Sequence, residues 1–358
     1  MSNNGLNTQK VELFGERLVN MLNEGALAHM LSIGHQTGLF DKMAILPPAT
    51  SHQIAEATGL NERYVREWLN GLTVGTILTY DSEQETYKLP AENAALLTRA
   101  AGAENMALYM QHISSFGMVE SQIVDCFHNG GGVPYEAFPR FHEVMAEDSG
   151  VNVVAALTDQ ILPLVPGLVQ RLEAGIDVLD VGCGRGRAIL KMAKAFPNSR
   201  FSGYDLSKEA IAFAQNEADE QGFSNAFFVA QDMTTFDAPE QYELITAFDA
   251  IHDQAFPARV LGNIHRALKA DGVFLMQDIA AHSHVHDNLE QPFAPFLYTI
   301  STMHCMTVSL AQGGEGLGTM WGREMAQQLL TEAGFGEVSI QQLPHDFMND
   351  YYIGYPGK

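Results

Sequence analysis

Val178-Leu179-Asp180-Val181-Gly182-Cys183-Gly184-Arg185-Gly186 is the stretch on which the fold turns. An apolar run with strand texture enters a glycine turn, and Arg187 to Phe196 follows at helical spacing. Glycines let a backbone approach a ligand closely, and the free N–H groups at the start of the next helix suit an anion such as a carboxylate. Dinucleotide enzymes space these glycines G-x-G-x-x-G. Here the spacing is G-x-G-x-G with an acid two residues before the first glycine, which points away from a dinucleotide.

Outward from this turn, short apolar runs alternate with helical segments: 176–181, 200–205, 226–230, 242–248, 272–279, 336–342 and 350–355. That alternation predicts a parallel sheet with helices on both faces. Ligands of such sheets sit outside the carboxyl ends of the strands, so the residues there are the candidates. The second run closes on Gly203-Tyr204-Asp205-Leu206, a carboxylate roughly 20 residues beyond the turn, where ribose hydroxyls are held. The third closes on Val229-Ala230-Gln231-Asp232-Met233, which offers an acceptor for an exocyclic amine and an apolar face for a purine. One aspartate at a strand end can be only a helix cap; three at successive strand ends carry more weight. The candidate cofactor-binding residues are Asp180, Gly182, Gly184, Gly186, Asp205, Leu206, Asp232, Met233 and Phe248.

Asp-Val-Gly-Cys-Gly-Arg-Gly, Gly-Tyr-Asp, Gln-Asp-Met and the closing Glu332-Ala333-Gly334-Phe335 strongly resemble the class I S-adenosylmethionine-dependent methyltransferases, over about residues 171–358. The resemblance implies an α/β fold, a seven-stranded Rossmann-like sheet whose last strand, Asp350 to Pro356, is antiparallel. It also implies S-adenosyl-L-methionine as cofactor and a small-molecule methyl acceptor. The fourth strand leads through Asp249-Ala250 into Ile251-His252-Asp253, similar to the Leu-His-Asp segment of bacterial and plant O-methyltransferases. The histidine there is the general base, a role that carries over to His252. A phenol with a pKa near 10 is a poor nucleophile at neutral pH until a base takes its proton, and histidine titrates in the right range. The same residue could instead cap the helix that follows. Asp253 is read as structural or as a support for the cofactor.

In that family an acid at the end of the fifth strand orients the base, which implies Asp278 of Met276-Gln277-Asp278. A second acid precedes the last helix; here Met320 stands in its place. The departure implies a less activated base and leaves room for a thiol, which ionises more readily.

In the front half, apolar residues from Val11 to about Leu39 recur at helical spacing. Ser51 to Gly59 reads as a Ser-capped short helix, and Asn61 caps a second one through Leu72. Ile77 to Tyr80 and Thr86 to Leu89 flank a polar tip in the position of a wing. This half resembles the mainly helical winged-helix domain of small-molecule methyltransferases, where it dimerises and covers the substrate. Glu62, Arg63, Arg66 and Glu67 on the second helix cancel, so the basic stripe that DNA demands is missing. The expected domains are 1–100, winged-helix-like; 101–172, a helical linker and substrate lid; and 173–358, catalytic, with an insertion at 281–322 over the active site.

Composition fits these readings. With 20 Lys+Arg against 43 Asp+Glu the formal charge is -23, a field that repels phosphate backbones and anionic membranes. Neither nucleic acid nor membrane is an expected partner; a second copy of the chain is, as a homodimer. The opening MSNNGLNTQK lacks an apolar signal core, so the expectation is a cytoplasmic protein. Cys126, Cys183 and Cys305 are widely spaced, which signals neither a disulfide framework nor a structural zinc site. His282, His284 and His286 would project to one side of an extended segment, but spacing fixes no fourth ligand, and no metal is assigned. Met303-His304-Cys305-Met306 suits an apolar pocket and helix packing equally. Three functions compete: an O-methyltransferase with His252 as base, a methyltransferase for a thiol or other soft nucleophile, and, disfavoured by charge, a regulator that binds DNA and the nucleoside.

Overall fold

The computed structural model describes residues 6–357, which fall into two units, Met1–Ser114 and Ser115–Lys358. The boundary cuts the 101–172 segment, whose first 14 residues, 101–114, belong to the first unit. Among the described residues no helix is long and apolar enough to cross a membrane.

The first unit holds α1 (Thr8–Thr37), α2 (Leu39–Ile45), α3 (Ser51–Thr58), α4 (Glu62–Val74), the antiparallel pair β1 (Thr79–Asp81) and β2 (Thr86–Lys88), and α5 (Ala91–Leu97). This is the expected helix-turn-helix with its wing. The cap of α3 differs from expectation. Thr50, not Ser51, accepts from the Gln53 backbone N–H, and Gln53 returns the bond to the Thr50 N–H, a capping box that a serine one residue later cannot make. The Ser51 hydroxyl is then free to donate to Glu62 at 2.6 Å. Asn61 caps α4 as expected. Phe40, Ile54, Val65, Trp68, Leu69, Leu72 and Leu89 form the core, and Trp68 donates its indole N–H to the Met30 carbonyl at 2.8 Å. On α4, Arg63 pairs with Glu67 and Arg66 with Glu62, so each cation is neutralised one turn away.

α6 (Met106–Asn129) straddles the boundary. The second unit continues through α7 (Phe141–Ser149) and α8 (Leu168–Ala174) to the sheet. β3 (Asp177–Val181), α9 (Arg187–Ala195), β4 (Arg200–Asp205), α10 (Lys208–Glu220), β5 (Ala226–Ala230), β6 (Tyr242–Phe248), α11 (Pro257–Ala267) and β7 (Leu268–Ile279) alternate. Then come α12 (Ala294–Ile300), α13 (Met306–Ala311), α14 (Gly322–Glu332), β8 (Phe335–Leu343) and β9 (Asp346–Pro356). The seven strands lie in the order β5-β4-β3-β6-β7-β9-β8, with β9 antiparallel to both neighbours and the neighbouring pairs from β5 to β7 parallel. The last strand is thus antiparallel as expected, but it begins at Asp346, because β8 and β9 form a tight hairpin.

Successive strand side chains point to opposite faces, and the two cores follow that alternation. Val178, Leu244, Val273, Leu275, Tyr351 and Ile353 pack on one face with α9 and α10; Leu179, Ile245, Phe274, Met276 and Tyr352 pack on the other with α11 and α14. The chain leaves β3 in one direction for β4 and β5 and returns on its other side as β6. The crevice at the carboxyl ends of β3 and β6 is therefore the topological switch point, the expected ligand site.

Candidate active site

A cavity of about 1020 Å³ opens at that crevice, lined on one side by Asp180, Gly182 to Arg185, Asp205, Leu206, Asp232, Met233 and Phe248. The glycine turn is held by its neighbours. Gly182 has φ 70°, and a Cβ there would meet the Ala250 Cβ at 2.5 Å. The Gly184 N–H donates to Asp205 Oδ2 at 2.8 Å, and the Ser207 N–H donates to Asp205 Oδ1 at 2.8 Å. Each Asp205 oxygen keeps a second lone pair for a ligand hydroxyl. Asp232 caps a short turn by accepting from the Thr234 N–H and hydroxyl, and Met233, buried, presents the apolar surface beside it.

Asp180 accepts from the Thr246 hydroxyl at 2.6 Å, yet its burial, with Asp205 nearby, pushes its carboxyl up to about 7. Gly186 is the one proposed cradle glycine that does not reach the cavity wall. Its φ of 72° starts α9, and a Cβ would strike the Phe228 ring at 2.5 Å, so it serves the packing of helix on sheet.

The opposite wall comes from residues far apart in sequence: Tyr135, Phe138, Phe141 and His142, then Asp249, Asp253 and Phe256. His252 and Asp278 lie behind this wall, both buried. His252 Nδ1 is 2.8 Å from Asp278 Oδ1, and the same oxygen accepts from the Trp321 indole N–H at 3.0 Å and the Ile279 N–H at 2.8 Å. His252 Nε2 faces Asp253 Oδ1 at 3.2 Å. Burial disfavours the imidazolium, but the carboxylates of Asp278 and Asp253 outweigh it and hold His252 well above its usual range. Asp253, which burial alone would raise, is held down at about 2 by His252. The expected base and its orienting acid are together; the residue between the base and the cavity is Asp253.

Sequence reasoning did not single out Asp249 or Tyr135. Asp249 carries φ 50°, a left-handed conformation that costs about 1–3 kcal/mol and concentrates at functional sites. Burial and the charge of Asp278 push its carboxyl well above the usual range. Its signal was its place just after a strand at the switch point. Tyr135 donates its hydroxyl to Asp253 Oδ2 at 3.1 Å, and no motif announces it. His304 stacks on Phe141 with ring centroids 3.9 Å apart, and Cys305, also buried, has its thiol pushed up to about 11 by burial and Asp253. Of the three clustered histidines, His282 donates from Nδ1 to Glu324 at 2.7 Å, while the rings of His284 and His286 stack 5.6 Å apart at the start of a short helical turn. Met320 packs with Ala281 and Leu297.

Comparison with known proteins agrees with this geometry. Residues 25–99 match the family model described as an Rv2258c-like winged HTH domain, and residues 172–342 match a methyltransferase domain. A malonyl-[acyl-carrier protein] O-methyltransferase of Bacillus cereus is 24% identical over 181 residues, 50% of this chain and 59% of that protein. The chain thus spans roughly half the length of the curated relatives it matches. A crystal structure of an O-methyltransferase from Nostoc punctiforme superposes with a TM-score of 0.70 at 18% identity, covering 95% of this chain and 98% of that one. Human N-acetylserotonin methyltransferase in complex with SAM does so with a TM-score of 0.68 at 16% identity, over 100% of both chains.

Proposed function

We infer, from a chain built of a winged helix-turn-helix domain and a class I methyltransferase domain, that it transfers the methyl group of S-adenosylmethionine to a small-molecule acceptor, most directly a hydroxyl or phenol oxygen. The observation that carries this reading is the cradle: a glycine turn whose amide is held by Asp205, at the mouth of a cavity lined by Asp232 and Met233. When bound, S-adenosylmethionine supplies an electrophilic methyl group on a sulfonium. Asp205 fits the ribose hydroxyls, Asp232 and Met233 the adenine, and the start of α9 the carboxylate. Phe248 and Leu206 add apolar surface.

The acceptor's proton goes to His252 Nε2 once Asp253 yields that nitrogen. Asp278, fixed by Trp321, stabilises the imidazolium that results. Holding the two reactants in line supplies much of the remaining acceleration.

A second reading is favoured by the clamp itself. An imidazole kept charged by two carboxylates already carries its proton at neutral pH and has no free nitrogen to take another, which favours an acceptor that ionises without help, such as a thiol. Transfer of label from methyl-labelled S-adenosylmethionine to a panel of phenols and thiols separates the two. Labelled phenols with wild type and none with His252→Ala support O-methylation by base catalysis. Thiols labelled in place of phenols replace it with S-methylation, and no labelled acceptor in the presence of bound cofactor refutes both.

The working unit is proposed to be a homodimer. Val11, Phe14, Leu18 and Leu22 lie along one stripe of α1 and are exposed, an apolar face that a second copy would cover. Sedimentation of the full chain at twice the monomer mass, reduced to the monomer by Leu18→Asp with Leu22→Asp, is the expected result; a monomeric wild type contradicts it.

A further inference from the structure

We propose that Nε2 of His252, a carboxylate oxygen of Asp253 and Sγ of Cys305 form a binding site for one zinc-class divalent cation, with a fourth position open to a thiol or hydroxyl in the cavity.

The donor atoms of the three residues all lie within 4.8 Å of one another, and all three residues are buried. His252 Nε2 and Asp253 Oδ1 are 3.2 Å apart. Two ligands each about 2.0–2.1 Å from a tetrahedral zinc are separated by roughly 3.3 Å, so this edge of the site is already formed. The sulfur lies within 4.8 Å of both other donors and closes the third corner by moving onto the ion. One imidazole, one carboxylate and one thiolate are a nitrogen, oxygen and sulfur set suited to zinc, and the two anions neutralise the dication.

The surroundings point the same way. Metal-bound histidines hand their other ring N–H to a carboxylate, which fixes the tautomer and the ring plane. His252 Nδ1 has that partner in Asp278 at 2.8 Å, and Asp278 is itself pinned by Trp321 and the Ile279 N–H. Asp253 is tethered through Oδ2 by Tyr135, while its buried Oδ1 lies 3.2 Å from Nε2. Cys305 ends a π-helical turn, Ser301–Cys305, inserted between α12 and α13, in which the Met306 N–H reaches back to the Ser301 carbonyl. Such inserted turns occur frequently at functional sites; here the turn buries His304 and Cys305 together. A second trio, Asp249, His252 and Asp278, offers no sulfur and is the poorer choice.

Asp253 is the one member of the trio on the cavity wall and stands between His252 and the cavity, so an acceptor reaches the open position past the Asp253 side chain. A thiol bound there is deprotonated outright, its proton passing to water, and needs no base. The new S–C bond forms as the methyl–sulfonium bond breaks, and that electron pair leaves on the thioether of the spent cofactor. A cation and a proton on Nε2 exclude each other, so the metal-loaded site activates its acceptor without His252 as base. This last step rests on the methyltransferase reading; occupancy of the site by metal does not.

The test is cobalt substitution and zinc competition on the purified full chain. Cobalt(II) added to wild type is expected to give the thiolate-to-cobalt charge-transfer band, absent in Cys305→Ser and retained in Cys126→Ser and Cys183→Ser. Titration of zinc against a chromophoric chelator should give one tight equivalent, weakened about 10- to 100-fold by Asp278→Asn, which removes the carboxylate behind the histidine. Should Cys305→Ser fail to fold, Asp253→Asn keeps the sulfur and must still weaken zinc. No band in wild type, or a band that survives in Cys305→Ser, overturns the site while leaving methyl transfer to be judged by the labelled assay alone.

Discussion

The two walls of the cavity are built by different means. The cofactor side is backbone held by neighbours: the turn after β3, the carboxylate ending β4 and the short turn after β5, each within one strand-to-helix connection. The opposite side and the buried cluster behind it are side chains brought from residues 135, 253, 278, 305 and 321, in five separate segments. A site of the first kind is fixed by the sheet and reads in short motifs. A site of the second kind exists only in the folded chain, and its chemistry is set by which buried charges end up together.

If the walls are separable, substitutions should sort by wall. The largest expected effect is on turnover: His252→Ala lowers methyl transfer to a hydroxylated acceptor by about 10²–10⁴-fold, the usual worth of a general base. Asp205→Ala should act on the other quantity. Losing hydrogen bonds to a charged group costs about 1.5–3 kcal/mol, so affinity for S-adenosylmethionine falls roughly 10- to 100-fold by calorimetry. Gly182→Ala tests the backbone. With φ 70° and Ala250 2.5 Å from the new Cβ, it should cost about 1–3 kcal/mol and appear as a lower thermal midpoint; an unchanged midpoint would mean the turn yields freely.

The smallest effect is on stability against pH. His252 has a raised folded pKa, so the clamp's contribution is full below its unfolded value, about 6.5, and is lost as pH rises through the folded value. Denaturant midpoints of wild type should therefore fall on the alkaline side relative to His252→Gln, and methyl transfer by base catalysis should rise over the same interval. Parallel curves for the two proteins would remove the charged clamp from the account.

The contrast also explains what the sequence could tell. All seven sheet strands were legible from short apolar runs; the central ones lie buried on two faces between helices, and the edge strands β5 and β8 keep alternate apolar residues. The edges that moved, Leu268 for β7 and Asp346 for β9, were set by pairing with a neighbouring strand, which hydrophobicity does not register. The aspartates proposed for the cradle stand at strand ends, which local sequence marks for the same reason. The glycine spacing reads Gly186 as a cradle residue, but whether a glycine faces a ligand or a phenylalanine depends on β5, two strands further on. Nothing near Tyr135 announces Asp253, 118 residues away, and the His304-Cys305 pair was open between packing and pocket until the π turn brought it beside His252.

The most direct test of the separation is a calorimetric titration of S-adenosylmethionine into wild type, His252→Ala and Asp205→Ala. The account predicts one site per chain in wild type, the same affinity in His252→Ala and a clear loss in Asp205→Ala. Equal affinity in all three, or a loss confined to His252→Ala, would contradict the assignment of the cradle and with it the reading of the whole cavity.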